Sequence, residues 1–172
     1  MAGGAVALTK VVSGGQTGVD QAALRAAEDS GFAISGWCPP ASDCETGLIS
    51  SRFPLKPTPE EHSSDARDVP RSLRSEWNVR DSDATLILQP SRADRVDAGT
   101  EWTAHCAARY GRPLFICDPT EPHASARILT WLSASSPRVL NVAGPSEATV
   151  AGIGDQAYVL LRAVFSALEV AG

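Results

Sequence analysis

The sequence predicts a doubly wound α/β fold, a parallel sheet of about five strands flanked by helices, in one domain spanning residues 1–172. Three observations predict it. Short apolar runs rich in β-branched residues alternate with helical patterns along the whole chain, as βαβ units require. The first of these runs ends in a glycine-rich turn that opens directly into a helix. Finally, 172 residues that are 43% hydrophobic and 20% charged suffice to bury one full core.

Taken in order, residues 6–12 read as a strand and residues 22–28 as the first helix, which Gly31 stops. A second strand is expected over residues 32–38, ended by Pro39-Pro40. Residues 39–72 are rich in Pro, Ser, Asp and Arg and lack periodicity, so they read as a long functional loop. It leaves the carboxyl end of the second strand, the edge of a parallel sheet where ligands sit. Residues 75–83 form a short helix or turn, and residues 84–89 a strand buried on both faces. After a polar loop, a helix begins at Gly99-Thr100 and ends at Gly111-Arg112-Pro113. A strand at 114–117, a helix at about 122–132 and a last strand at 138–143 follow. The closing helix carries Tyr158, Leu160, Leu161, Val164, Phe165 and Leu168 on a broad apolar face.

Charge and composition exclude several function classes. The net charge is −5 without a Lys/Arg run, which argues against an extended nucleic-acid or acidic-membrane surface. No stretch approaches the ~18 consecutive apolar residues of a membrane span, and Met1-Ala2-Gly3-Gly4 offers no basic leader, so a cytoplasmic protein is expected. Cys38, Cys44, Cys106 and Cys117 form no Cys-x-x-Cys pair, and His62, His105 and His123 stand at no metal-ligand spacing. Cys106 and Cys117 read as buried hydrophobes, whereas Cys38 and Cys44 sit in a loop.

The chemistry-bearing stretch is Ser13-Gly14-Gly15-Gln16-Thr17-Gly18-Val19-Asp20. A strand-to-helix turn of this kind leaves first-turn N–H groups unpaired at the positive end of a helix dipole, where an anion fits. The glycines let a ligand oxygen approach the main chain, and Gln16 and Thr17 add side-chain donors. The G-G-x-x-G spacing is neither the dinucleotide fingerprint nor a P-loop, so a tight turn without a ligand explains it equally well. Asp20 reads as a cap of the helix start or as an acid–base group. The second start, Gly99-Thr100, lies on the same sheet edge. Either the two starts hold a ligand from both sides, or Thr100 is an N-cap with Thr103 in the first turn. Arg52, on the long loop, either reaches that anion or is solvated.

Four stretches together resemble the molybdenum carrier family, which includes molybdenum cofactor carrier proteins: residues 13–20, Gly36-Trp37-Cys38-Pro39, Glu76-Trp77-Asn78-Val79-Arg80-Asp81-Ser82-Asp83, and Leu140-Asn141-Val142-Ala143-Gly144-Pro145. The resemblance implies a Rossmann-like fold shared with lysine-decarboxylase-like and cytokinin-activating phosphoribohydrolase proteins. It also implies homo-oligomers, tetramers or dimers, and a non-catalytic role in holding molybdenum cofactor, a phosphate-bearing pterin, with molybdoenzymes as recipients. The residues it implies at the ligand are Gly14, Gly15, Gln16, Thr17, Gly18, Arg52, Asn78, Arg80, Gly99, Thr100 and Thr103. Trp37 or Trp102 would flank the pterin, and Cys38 is the one candidate contact to the metal. Members often carry a double glycine before the second start, where this chain has Asp97-Ala98. The phosphoribohydrolases place a glutamate three residues past that threonine, where this chain has Thr103. A nucleotide-processing enzyme using Glu101, Asp20 or Asp81, or a nucleotide sensor, is the alternative expectation.

Overall fold

The computed structural model describes residues 6–92 and 96–171. Five parallel strands form the central sheet: β1 (Lys10–Val12), β2 (Ala33–Ser35), β3 (Ala84–Leu88), β4 (Leu114–Cys117) and β5 (Val139–Ala143). Five helices connect and cover them: α1 (Val19–Asp29), α2 (Ser72–Arg80), α3 (Ala98–Arg109), α4 (Ala124–Ser135) and α5 (Ile153–Ala171). The alternation read from the sequence therefore yields the doubly wound, Rossmann-like sheet. No described helix is long and apolar enough to cross a membrane.

The main core joins the sheet to α1, α4 and α5 through Val19, Ala22, Ala23, Ile128, Leu161 and Phe165. A smaller core on α2 and α3 gathers Val79, Trp102, Cys106 and Ala107. Every residue of β3 is buried, as its continuous apolar run requires. Helix α5 turns its apolar stripe to α1 and α4; Phe165 packs on Phe32 with ring centroids 5.5 Å apart.

In space the strands run β2-β1-β5-β3-β4, with the last strand of the chain between the first and the third. If the count starts at β5 and passes through the termini to β1, the same order reads 3-2-1-4-5, that of a dinucleotide-type sheet. The strand order then reverses direction between β5 and β3. Ligands of open α/β sheets bind outside the carboxyl ends at such a point. Here those ends touch: a Cβ on Gly144, just past β5, would collide with the carbonyl of Leu88 at the end of β3.

The second strand is shorter than its apolar run. Gly36 adopts φ +146° and lies against the backbone of Ser13, where no side chain fits. Trp37–Cys38 consequently leave the sheet and pair in parallel with Lys56–Pro57. Within the long loop, Asp43–Cys44 and Gly47–Leu48 form an antiparallel hairpin with Glu45 and Thr46 at its tip.

Candidate functional site

The glycine-rich turn is built as closely as its glycines suggest. Gly15 (φ +81°) and Gly18 (φ +83°) take conformations that L side chains rarely adopt. A Cβ on Gly14 would strike the Arg74 guanidinium, and one on Gly15 would lie 2.5 Å from Leu55 Cδ1 and 2.9 Å from Ile49 Cδ1. Arg74 Nη1 donates to Asp20 Oδ2 at 2.9 Å, and both side chains are largely buried. Burial pushes the Asp20 carboxyl above its ordinary range, while Arg74 and the N–H of Gln16 pull it back. Asp20 thus ties α1 to α2 across the turn.

Several N–H groups of this helix start are already engaged: those of Gln16, Thr17 and Val19 donate to Asp20, Glu45 and the carbonyl of Pro145. Glu45, at the hairpin tip, accepts from Thr17 N at 3.1 Å and from Thr17 Oγ1 at 2.6 Å. Burial raises the Glu45 carboxyl, but the hydrogen bonds from Thr17 and the charge of Arg71 outweigh it and hold the group below its usual pKa. Gln16 Nε2 donates to the carbonyl of Asp43 at 3.0 Å, fastening the hairpin further. Gln16 is only 5% exposed, and its Oε1 has no partner among the described residues. The starts of α3 and α5 are also held by carboxylates. Asp97 accepts from Thr100 N and Thr100 Oγ1, both at 2.8 Å, and Glu147 accepts from Gly152 N at 2.9 Å and Gly154 N at 2.6 Å.

A cavity of about 250 Å³ lies among these starts, at the point where the strand order reverses. Gln16, Glu45, Asp97, Gly99 and Gly144 line it, and Arg71 and Arg74, one turn apart on the entry to α2, supply positive charge. Among the described residues no carboxylate pairs with the Arg71 guanidinium, although the Arg71 backbone N–H donates to Glu61 Oε1 at 3.2 Å, and the Arg74 Nε is buried without a partner. The cavity therefore combines guanidinium donors, the tip of one glycine turn and a buried amide oxygen seeking a donor.

A sheet whose natural count begins at its last strand is a permuted one. Residues 11–165 match the model of the circularly permutated YpsA SLOG family. The chain belongs to that family. The strand order, with the last strand of the chain between the first and the third, agrees with a permuted sheet. Among solved structures, the "Putative molybdenum carrier protein" of Syntrophus aciditrophicus SB is 31% identical, with a TM-score of 0.80 over 92% of this chain and 95% of that one. This relative places the chain in the molybdenum carrier group as well. No curated protein shows significant similarity to it.

With the family's fold in view, the residues singled out in the sequence fall into two sets. Gln16 and Gly99 line the cavity, with Gly14, Gly15, Thr17, Gly18 and Thr100 in the turns at its edge. Helix α3 starts two residues before Thr100, so Asp97 is the N-cap, and Thr103 bonds the carbonyl of Gly99 at 2.9 Å. The remainder lie elsewhere. Arg52 sits at the far end of α1, 2.6 Å from Glu28 and 3.4 Å from Asp29. Asn78 clasps the backbone of Trp37 through bonds of 2.8 and 3.0 Å, and both line a second cavity of about 270 Å³ with Lys10 and Lys56. Arg80 pairs with Asp81 at 2.8 Å and covers the Trp77 ring. Trp102 is core, its indole N–H bonded to the Ser72 carbonyl. Glu101 is exposed in the first turn of α3.

Cys38 and Cys44 are buried despite their loop position, and burial raises the Cys38 thiol, which keeps it protonated. Among the described residues no group of three or more His, Cys, Asp or Glu could hold a metal ion. Glu45, Arg71 and Arg74 escaped the sequence reading. Only the three-residue spacing of the two arginines, after Pro70 and ahead of a helical stretch, hinted at a shared face.

Proposed function

We propose that this protein is a non-catalytic carrier of molybdenum cofactor, with the cofactor's phosphate as cargo anchor in the cavity between the first and second helix starts. The observation that carries this reading is the pair Arg71 and Arg74 at the reversal point, beside two glycine-bearing turns. A guanidinium fork suits a phosphate, and the buried Gln16 Oε1 offers an acceptor to a ring N–H or hydroxyl. The hydroxyls on the wall, Ser146 and Thr149, bond to each other at 3.1 Å and meet no base among the described residues. That pattern supports holding a ligand rather than transforming it. The similarity to a molybdenum carrier supplies the ligand class.

A cavity of about 250 Å³ is smaller than the ~300–1,000 Å³ of ordinary ligand pockets, so it takes a phosphate end while the pterin extends outward. A second reading, a nucleotide-processing enzyme or nucleotide sensor, is favoured by Asp20, a buried carboxyl raised in pKa beside the turn. Native mass spectrometry with molybdopterin and AMP separates the two. Selective uptake of the pterin, lost in Arg71→Ala, is expected; preference for AMP, or release of base or sugar phosphate from it, overturns the carrier reading. The same spectra report whether the carrier is a dimer or a tetramer.

A further inference from the structure

The starts of α1, α3 and α5 open toward one sheet edge, and each is held by a carboxylate of the chain itself. Two of these carboxylates are local. Asp97 lies three residues before the N–H it caps, and Glu147 five and seven residues before its own partners. They belong to the helix starts and move with them. Glu45 is different, reaching Thr17 from 28 residues away in sequence. It is exposed, at the tip of a two-residue turn, so its carboxylate can rotate into water while Gln16 still holds the hairpin at Asp43.

We infer that Glu45 is a displaceable internal anion that occupies the phosphate slot of the first helix start and sets the threshold a phosphate-bearing ligand must exceed. This rests on the reading of the cavity as the site of such a ligand. While Glu45 is in place, both Thr17 donors are consumed. A phosphate that takes them replaces one anion with another, and the Thr17 N–H is left bare in neither state. Gln16 lines the cavity, and its buried Oε1, unpartnered among the described residues, is an acceptor that a donor on the rest of a phosphate-bearing ligand would satisfy. The charge of Arg71, which favours the Glu45 carboxylate without pairing with it, acts on the phosphate in its place once that carboxylate leaves.

The consequence for selection is direct. Free phosphate gains only the slot and must bear the whole cost of expelling Glu45. A larger ligand bears the same cost but adds contacts of its own, so it remains bound at concentrations where free phosphate does not. Ligands without a phosphate leave Glu45 where it is and are unaffected by it.

The test is a titration of wild type, Glu45→Gln and Glu45→Ala with inorganic phosphate, AMP and adenosine, followed through the Thr17 amide resonance. Both variants are expected to bind phosphate and AMP about two- to threefold more tightly than wild type, the worth of an exposed charged contact that water screens, with no gain for adenosine. Unchanged or weaker phosphate binding in both variants overturns the proposal, as does a gain for adenosine equal to that for AMP. Absence of phosphate binding in all three proteins also overturns it. The carrier reading fails separately. If the variants gain phosphate affinity yet none of the three proteins takes up molybdopterin, Glu45 keeps its role and the cargo is another phosphate ester. If all three take up molybdopterin equally, the carrier stands and the role of Glu45 falls.

Discussion

The starts of α1 and α3 share a sequence appearance, strand then glycine then threonine, and differ in construction. At α1 every glycine is pressed by other parts of the chain: Gly14 by Arg74, Gly15 by Leu55 and Ile49, Gly18 by the backbone of Pro145 and Ser146. At α3 a Cβ on Gly99 would meet only Asp97 Oδ1, at 3.2 Å. The first start is the meeting point of β1, α2, the hairpin and the loop after β5, and the second is a helix end closed by its own N-cap. The comparison teaches that a glycine-rich turn can be demanded by packing and still border a ligand cavity. A glycine's presence alone does not say which of the two it serves.

The sharpest break of this comparison is Gly18→Ala against Gly99→Ala. Gly18 has φ +83° and ψ −127°, a region only glycine occupies comfortably, and its Cβ would run into a carbonyl. Strain and overpacking together should cost about 3–5 kcal/mol in urea unfolding. Gly99 lies inside α3, where alanine is the better helix former by roughly 1 kcal/mol, offset by the crowded Asp97 oxygen. Its substitution should change stability by less than about 1 kcal/mol. Equal losses at the two positions would show that the starts are built alike.

Next in size is Arg74→Leu, which strands Asp20 in the interior. A buried carboxylate without its partner costs about 3 kcal/mol at neutral pH. The Asp20 pKa is already raised by burial, so the folded state holds its proton more strongly than the unfolded chain does. Its contribution is therefore fully present below the ordinary aspartate pKa of 3.8 and is lost as pH rises through the higher folded value. Without Arg74 that folded value rises further. The gap between variant and wild type should widen from pH 5 to pH 8 in thermal melts, and a gap that narrows over that range would contradict the pairing. No comparable pH dependence is expected from Leu replacements around α3.

How far the sequence itself carried the reading follows the same division. Local pattern located the strand–helix alternation and both glycine turns, because apolar period and turn chemistry are written in adjacent residues. Gly36 broke the second strand for a reason that is not local: the backbone of Ser13 lies against it. Arg52 and Arg74 illustrate the limit at the site. Both are arginines in or just after the same irregular segment, yet one folds back onto Glu28 at the far end of α1 and the other lands on Gly14. Nothing within a few residues of either distinguishes them. Glu45 was equally illegible, since its role depends on a hairpin that brings it across 28 positions to Thr17.

The smallest effects isolate the two caps. Asp97 bonds both the N–H and the hydroxyl of Thr100, and its loss in Asp97→Ala should cost about 1 kcal/mol of stability, the usual worth of an N-cap. Glu45 makes the same pair of bonds to Thr17, but it is exposed, and its contact closes a loop rather than a helix turn. Glu45→Gln keeps an acceptor and removes a charge that water largely screens, so its stability should stay within about 0.5 kcal/mol of wild type. Chemical denaturation of both variants decides the matter. A larger loss for Glu45→Gln than for Asp97→Ala would make the hairpin contact a structural clasp. The expected order leaves Asp97 as part of the helix and Glu45 as a group the fold can release.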